Sequence, residues 1–331
     1  MYRRTAIKHS LLSVSGLLAA SSFAVHPNFR RVIKPPRLQV GQTVALIAPS
    51  GPVPADRVQE AVSNLEDLGL KVKVGKNIHA KNGHNAGTDQ QRLSDLHGAF
   101  RDPTVSAIWC VRGGDGAYRL LPNIDYKLIR KNPKILIGYS DITALLQAFY
   151  TKVGLVGFHG PIGATAPEYF TNFRANMEAV IFQGGAGHLI KQGETTETFQ
   201  KGTASGPLVG GNLSLISALA GTPYAMDAKD KIVFLEDIGE APRRVDRMLS
   251  TLRQACRLEE ARGIILGEWV DCECDLDPNN ETQCEGNSRT LKTVLQEHTA
   301  PLGIPVLYNF PFGHGEHLCT FPVGVEAELD A

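Results

Sequence analysis

Apolar runs alternate with segments of helical periodicity along the first half of the chain. Short runs such as TVALIA, which starts at Thr43, are bounded by Gly and Pro and are typical of buried strands. Between the runs, apolar residues recur every three to four positions, as at Val58, Ala61 and Leu65. The pattern predicts strands at 43–48, 71–75, 105–111, 134–138 and 155–158, and helices at 55–70, 89–100 and 141–152. Strands that alternate with helices favour an α/β fold, here a doubly wound and mostly parallel sheet.

A second unit with the same alternation follows a less regular stretch. It predicts strands at 207–212, 231–236, 263–267, 306–308 and 325–329, and helices at 213–219, 242–256 and 289–298. A length of 331 residues is compatible with two domains at about 150 residues each. We therefore expect an N-terminal α/β domain over 36–160, an interdomain linker over 161–205 and a smaller α/β domain over 206–331.

The balance of charges excludes some classes of protein. Lys and Arg together number 34, and so do Asp and Glu, so the chain has no net positive charge. Nucleic-acid-binding domains normally carry a basic excess or a basic stripe, and nucleic acid is therefore not an expected partner. Hydrophobic residues make up 43% and charged residues 21%, which is the globular range and excludes a disordered or fibrous protein.

The first 24 residues resemble a twin-arginine signal peptide. Arg3 and Arg4 precede an uncharged stretch, residues 10–25, that is too short and too weakly apolar for a transmembrane helix. Ser22 and Ala24 place small residues at the two positions that a signal peptidase reads. We expect cleavage after Ala24 and export to the periplasm, without a stable membrane anchor. A frayed N-terminus on a cytoplasmic protein is the alternative.

Ser140 lies between a predicted strand and a predicted helix, in the segment KILIGYSDITALL. A serine on such a turn exposes its hydroxyl at the edge of the sheet, beside the backbone N–H groups of a helix N-terminus. The segment matches a G-x-S-x-G elbow only in part, because Ile142 stands at the last position. Helix capping is the alternative, and the local sequence alone favours it.

A glycine-containing loop, residues 112–116, follows another predicted strand. Gly113 and Gly114 would let backbone N–H groups approach a ligand oxygen, as an oxyanion hole or a phosphate site requires. The loop is not G-x-G-x-x-G, and no Gly-Lys-Ser/Thr follows it, so a dinucleotide or nucleoside triphosphate site has little support. An ordinary tight turn is the alternative.

The second unit contributes acidic, basic and histidine candidates. Glu236 ends a predicted core strand, where an acid either points into a cleft or caps a helix. Arg244 lies on a predicted helix and either faces solvent or reaches a substrate carboxylate. His314 lies between two glycines and is sterically open, and His159 in the first unit is its rival. A histidine on its own is more often structural than catalytic.

Three of the six cysteines fall in the loop DCECDLDPNNETQC. Their C-x-C spacing fits no zinc pattern, and we expect no metal site. In an exported protein a disulfide such as Cys274–Cys284 is favoured over a metal. The alternative is an irregular insertion with free thiols.

Five segments in order resemble the LD-carboxypeptidases, a family of serine peptidases that includes the microcin-immunity peptidases. The segments are RGGDG, GYSDIT, GPLVGGNLSLI, FLEDIGEAPRRVDRML and FGHGEHLCTFPVG, and the resemblance runs from about residue 43 to residue 329. It implies that Ser140 is the nucleophile, that His314 is its base and that Glu236 orients His314. This joint occurrence outweighs the local alternatives given above.

The resemblance also implies the surroundings of this triad. The oxyanion donors would be the backbone N–H groups of Gly114 and Asp141. The active site would lie at the interface of the two domains, because the nucleophile comes from the first and its partners from the second. The candidate substrate-binding residues are Arg112, Gly113, Asn212 and Arg244.

The implied activity is removal of the terminal D-alanine from murein tetrapeptides in peptidoglycan recycling. The resemblance implies no metal or organic cofactor and a muropeptide as the partner, and members of the family are commonly homodimers. Two alternatives stay open. One is a microcin-type hydrolase of an acyl-nucleotide-linked peptide, which would need an aromatic platform, yet Trp109 and Trp269 lie in no obvious lid. The other is a muropeptide-binding protein without catalysis.

Overall fold

Two six-stranded sheets with helices packed on them form the framework of the protein. The computed structural model describes residues 31–185, 190, 193–273, 289–316 and 318–331, and for 167–173 it describes the backbone alone. Within these ranges, no helix has the length and apolar character needed to cross a membrane.

The first half of the chain supplies most of one sheet. Its elements are β1 (Thr43–Ile47), α1 (Ala55–Asp67), β2 (Lys71–Val74), α2 (Asp89–Arg101), β3 (Val105–Cys110), α3 (Tyr126–Lys131), β4 (Ile135–Gly138), α4 (Thr143–Val153), β5 (Phe158–His159) and α5 (Pro167–Ile181).

The second half builds the other sheet. Its elements are β6 (Glu197–Gln200), β7 (Thr203–Asn212), α6 (Leu213–Leu219), β8 (Ile232–Ile238), α7 (Pro242–Ala255), β9 (Gly263–Val270), α8 (Leu291–Thr299), β10 (Val306–Tyr308), β11 (Phe321–Pro322) and β12 (Glu326–Asp330).

The first sheet is doubly wound, as the alternation of strands and helices predicts. Its order is β11-β5-β4-β3-β1-β2, and all pairings from β5 to β2 are parallel. The chain leaves β1 toward one edge and β3 toward the other, so the loops after β1 and β3 border a crevice at the carboxyl ends of the strands. Ligands of doubly wound proteins bind in this crevice. The 112–116 loop follows β3 and therefore lies there.

The second sheet has the order β12-β7-β8-β9-β10-β6. Its four central strands are parallel, and the outer strands β12 and β6 are antiparallel to their neighbours. The predicted α/β class is therefore confirmed for both units. The second sheet has as many strands as the first, although the sequence predicts a smaller second domain.

Helix α4 connects the two units because both cover it. Every residue of this helix except Lys152 is buried. It packs against β5 and α3 of the first unit and against β7 and α6 of the second. One hydrophobic core continues through it from the first sheet to the second. The start of α4, just after Ser140, is thus fixed relative to both sheets.

Residues 161–205, expected to form a linker, contain regular elements that belong to the two units. Helix α5 packs Met177, Val180 and Ile181 into the core of the first unit. Strand β6 pairs with β10 at the edge of the second sheet, and β7 already begins at Thr203. The sequence does not indicate these elements, because the Gly- and Pro-containing stretch 160–167 at the entry to α5 has the composition of a loop and the polar edge strand β6 has no apolar run. Strand β11 also crosses the predicted division, since it pairs with β5 of the first sheet.

Candidate active site

Ser140 occupies a strained position directly after β4. It opens the short 3₁₀ turn Ser140–Ile142 with a φ of +62°, in the left-handed region that a residue with a side chain rarely adopts. Such strain costs about 1–3 kcal/mol and is concentrated at functional sites. In the part of the chain that the structure describes, no side chain caps the N-terminus of either the 3₁₀ turn or α4. The capping interpretation of Ser140 is therefore wrong, and the hydroxyl has no local structural partner of that kind.

The glycine loop lies against this serine. A Cβ atom on Gly113 would be 2.8 Å from Cβ and 3.1 Å from Oγ of Ser140, so only glycine allows the approach. The N–H of Gly51, in the loop after β1, donates to the carbonyl of Gly113 at 3.1 Å. In the described part of the chain, the N–H groups of Gly114 and Asp141 donate no hydrogen bond. Both predicted oxyanion donors are therefore available to a ligand.

The carboxylate of Asp141 holds three loops together. It accepts hydrogen bonds from the hydroxyl of Ser50, after β1, and from the N–H of Ala117, beyond the glycine loop, the latter at 2.7 Å. Burial raises the pKa of Asp141, and the hydrogen bond from Ser50 offsets part of that rise. The residue after Ser140 thus fixes the glycine loop to the turn that carries the serine. The sequence indicates neither this role of Asp141 nor the contribution of Ser50.

In the second unit, His314 and Glu236 form a hydrogen-bonded pair. Nδ1 of His314 lies 2.6 Å from Oε2 of Glu236, whose side chain is fully buried, whereas that of His314 is 11% exposed. Burial alone would lower the pKa of His314, but the charge and hydrogen bond of Glu236, together with the nearby Asp237, more than offset this effect, and the pKa is raised. Gly313 allows the approach, because a Cβ there would be 3.2 Å from Cβ of Glu236. With Nδ1 donating to Oε2, Nε2 is left as the acceptor.

A register shift between β8 and β9 accompanies Glu236. Leu235 pairs with Leu266, but Asp237 pairs with Trp269, so β9 carries one additional residue at this point. Such bulges re-aim side chains and are frequent beside active sites.

Tyr139 brings the two halves of the site into contact. Its ring centroid lies 4.9 Å from that of His314, and it is the residue that precedes Ser140. Burial and the nearby Glu236 carboxylate raise the pKa of Tyr139 to about 12, so its hydroxyl stays protonated at neutral pH. The ring contact thus brings His314 and its partner Glu236 against Tyr139, the residue that precedes Ser140.

A chain of hydrogen bonds links the two halves beneath the site. The backbone N–H of Asn212 donates to the hydroxyl of Thr143 at 3.1 Å, and the Asn212 amide donates to Asp237 at 2.8 Å. A Cβ on Gly211 would lie 2.7 Å from Oγ1 of Thr143, so glycine is required for this approach. Burial, followed by the neighbouring Glu236, raises the pKa of Asp237 to about 6.

These contacts give Asn212 a structural role. Its side-chain oxygen accepts the N–H of Leu215 and caps α6, while its amide holds Asp237. The expected contact between Asn212 and substrate stays a prediction. Thr143 and Asp237 were not identified from the sequence, although both lie within the segments that carry the family resemblance.

The two arginine candidates differ in their surroundings. Arg112 is half-buried, and its Nη1 donates to the carbonyl of Pro52 at 3.0 Å. Among the residues that the structure describes, no carboxylate pairs with Arg112. Arg244 is exposed on α7 and lies 3.5 Å from Glu240, one helical turn away. Arg112 is therefore the better placed of the two to meet a ligand at the glycine loop.

Some candidates fall outside the described residues. Cys274 and Cys284, and with them the expected disulfide, lie there, as do residues 1–24 of the expected signal peptide. Across the described ranges, no group of three or more His, Cys, Asp or Glu side chains could hold a metal ion.

We predict that Thr143→Val lowers the implied peptidase activity at least about tenfold. The substitution removes a hydrogen bond between the two halves of the site, and misplacement of reacting groups by about 1 Å can cost 10²-fold in rate. The unpaired N–H of Asn212 should also lower the free energy of unfolding by about 1–3 kcal/mol. Tetrapeptide turnover and thermal unfolding measure the two effects.

Thr151→Val is the matched control, since Thr151 lies on the same helix, is buried and accepts a hydrogen bond from Gln147 at 2.8 Å. It should lower stability but leave turnover intact. Equal turnover in the two variants would show that the link between the halves has no influence on the site.

Both units of the chain are similar to known proteins. Family models of the LD-carboxypeptidase N-terminal and C-terminal domains match residues 44–160 and 205–329. A probable murein peptide carboxypeptidase of Bacillus subtilis (strain 168) is 38% identical over 300 residues, covering 90% of this chain and 91% of the relative. The murein tetrapeptide carboxypeptidase of Pseudomonas aeruginosa is 33% identical over 297 residues, covering 87% of this chain and 92% of the relative. The solved structure of the microcin C7 self-immunity protein MccF in complex with aspartyl sulfamoyl adenosine is 26% identical with a TM-score of 0.79, covering 90% of this chain and 96% of that one. The chain belongs to the LD-carboxypeptidase family. This membership supports its assignment as a hydrolase of the serine-peptidase type with carboxypeptidase activity.

Proposed function

We propose that this protein is a serine carboxypeptidase that removes the terminal D-alanine from murein tetrapeptides by hydrolysing an L,D-peptide bond. The observation that carries the proposal is the hydrogen bond between His314 and Glu236, together with the ring contact between His314 and Tyr139, the residue before the strained Ser140. A base oriented by a buried carboxylate and next to a serine hydroxyl is the arrangement that nucleophilic acyl transfer needs.

In the acylation step, Oγ of Ser140 attacks the carbonyl carbon of the L,D bond and Nε2 of His314 takes the hydroxyl proton. The oxyanion that forms accepts hydrogen bonds from the backbone N–H groups of Gly114 and Asp141. When the tetrahedral intermediate collapses, the C–N bond breaks and His314 returns the proton to the departing amine of D-alanine. Glu236 stabilises the imidazolium throughout and remains ionised.

Deacylation uses the same groups in reverse. Nε2 of His314 takes a proton from a water molecule, whose oxygen attacks the ester carbon on Ser140. Collapse of the second intermediate breaks the ester bond, and His314 returns the proton to Oγ. The tripeptide leaves with a new carboxylate, and the enzyme is regenerated.

Selection of a terminal residue requires recognition of its carboxylate. Arg112 suits this role because it adjoins the glycine loop, is half-buried and has no carboxylate partner in the described chain. A guanidinium can bind a carboxylate through two parallel N–H···O bonds. In our proposal Arg112 binds the carboxylate of the terminal D-alanine and so makes the enzyme an exopeptidase.

The likeness to MccF favours a second candidate, a hydrolase of acyl-nucleotide conjugates. The catalytic groups would be the same, and only the leaving part of the substrate would differ. An aminoacyl sulfamoyl adenosine offered alongside the tetrapeptide separates the two candidates. A higher kcat/KM for the nucleotide conjugate would favour the second.

We predict that Ser140→Ala and His314→Ala each abolish release of D-alanine from the tetrapeptide while thermal unfolding stays native-like. Groups that act as one unit are not additive, and loss of one can cost as much as the loss of all, up to ~10⁶-fold. The double variant should therefore be no worse than either single variant. Mass spectrometry of the peptide products measures the loss. Near-normal turnover by Ser140→Ala would remove the nucleophile assignment.

The pH dependence of kcat/KM should report the raised pKa of His314. Below that pKa the imidazole is protonated and cannot accept the proton of Ser140, so activity should rise with pH through a midpoint above the ordinary value of 6.5. Glu236→Gln removes the carboxylate that raises the pKa, and burial then shifts the midpoint to lower pH.

The same substitution should lower kcat on the order of 10⁴-fold, as replacement of a triad carboxylate by an amide can do. A midpoint that is the same in Glu236→Gln and in the wild type would contradict the pairing of these two side chains.

We predict that the wild type prefers a tetrapeptide with a free terminal carboxylate to the same peptide amidated at that carboxylate, by about 100-fold, as hydrogen bonds to charged groups are worth 1.5–3 kcal/mol. Arg112→Gln should reduce this ratio to a few-fold. Arg130→Gln, a change on the exposed side of α3, is the matched control and should keep the ratio. If Arg112→Gln retains the full preference, another group binds the terminal carboxylate.

A further inference from the structure

His159 is a buried imidazole with no hydrogen bond to the residues that the structure describes. It is the last residue of β5 and is fully buried. Within the described residues, neither of its ring nitrogens has a hydrogen-bond partner. The mechanism derived above makes no use of it. Native proteins rarely bury a polar group unpaired, and each instance calls for an explanation.

Three aromatic rings surround His159, and each belongs to a segment that carries one member of the triad. The ring centroids of Tyr139, Phe234 and Phe312 lie 6.1, 5.5 and 6.0 Å from that of His159. Tyr139 precedes Ser140, while Phe234 and Phe312 each stand two positions before Glu236 and His314. His159 is thus placed where the three catalytic segments converge.

Burial fixes the charge of this imidazole. It lowers the pKa of His159 to about 4, and the nearby Glu236 carboxylate offsets only part of that fall. His159 is therefore neutral at neutral pH, with one N–H donor and one acceptor nitrogen. Burying two unpaired polar atoms among aromatic rings lowers the stability of the fold. A phenylalanine at the same position would not carry this cost. His159 lies beside the proposed catalytic groups, and buried polar groups without partners at such places are expected to serve function.

Glu236 has an unpaired atom of its own. Oε2 accepts the N–H of His314, but Oε1 is buried and has no partner among the described residues. An ionised carboxylate can accept hydrogen bonds at both oxygens, and a second donor would add to the bond that Oε2 already accepts. The nearby imidazole of His159 is neutral and has an unused N–H, which is the kind of donor that Oε1 lacks.

We propose that His159 is a positioning residue that supplies the second hydrogen bond to Glu236, at Oε1, and so holds Oε2 on His314 during turnover. His159 does not touch substrate and acts only through Glu236. The inference rests on the proposed function, because it assigns Glu236 to the triad.

Replacing His159 separates this role from simple packing. His159→Phe keeps the ring and the aromatic contacts but removes the donor. We expect kcat for D-alanine release to fall about 10- to 100-fold with little change in KM, while the melting temperature stays the same or rises. The midpoint of the kcat/KM profile should move to lower pH, since a less firmly held Glu236 stabilises the imidazolium of His314 less. His159→Gln, which restores an N–H donor, should recover part of kcat.

The control is His298→Phe, which removes another buried histidine. His298 lies on α8, and its Nε2 is hydrogen-bonded to Asp246 on α7 at 2.7 Å. It should change stability but neither kcat nor the pH midpoint. Wild-type kcat and pH midpoint in His159→Phe would overturn the inference, as would equal kcat in the Phe and Gln variants. If His159→Phe does not fold, His159→Met serves as the variant without a donor and is judged by the same criteria. Failure of the wild type to release D-alanine would instead remove the proposed function itself.

Discussion

The hydrogen bond from the backbone of Asn212 to the hydroxyl of Thr143 joins the two units at the point where the site is assembled. Thr143 stands three residues after Ser140, and Asn212 holds Asp237, the neighbour of Glu236. The position of the nucleophile relative to its base is therefore set through this link rather than by the first unit alone. Gly211 is part of the same constraint, because any side chain there would separate the two surfaces. An active site divided between two sheets depends on such a junction being rigid, and burial of nearly all of α4 makes it so.

The site concentrates features that oppose stability. Ser140 has a left-handed backbone, Glu236 and Asp237 are adjacent buried acids, and His159 is buried without a hydrogen-bond partner among the described residues. Each would cost on the order of 1–3 kcal/mol in isolation. The core that runs through α4 and both sheets offsets these costs. The same low-polarity surroundings strengthen the attraction between Glu236 and the imidazolium of His314, so the burial that destabilises the fold also favours the chemistry.

The hydrophobic pattern predicts most of the strands because central parallel strands are buried on both faces and form short apolar runs, as in β1 and β4. It misses β6, whose edge position leaves its residues polar, and α5, which follows directly on a stretch with the composition of a loop. The five ordered segments assign Ser140, Glu236 and His314 to the proposed triad, because each stands in a segment characteristic of the family.

Other members of the site have no comparable signal. Ser50 and Thr143 act through partners that are distant along the chain, namely Asp141 and Asn212, and their roles emerge only when the strands are placed side by side. His159 looked like a rival to His314, and its burial among three aromatic rings could not be inferred from its neighbours in sequence. Asn212, expected to bind substrate, has its amide engaged in a helix cap and with Asp237.

In the mechanism that we propose, a histidine from the second unit activates Ser140. Labelling with a fluorophosphonate, followed by peptide mapping, probes this activation, because the serine oxygen displaces fluoride only when a base takes its proton. We expect one adduct, on Ser140, and labelling at least about 10²-fold slower in His314→Gln, as loss of a general base commonly costs 10²–10⁴-fold. An adduct on a different serine, or labelling of Ser140 at the wild-type rate in His314→Gln, would contradict it.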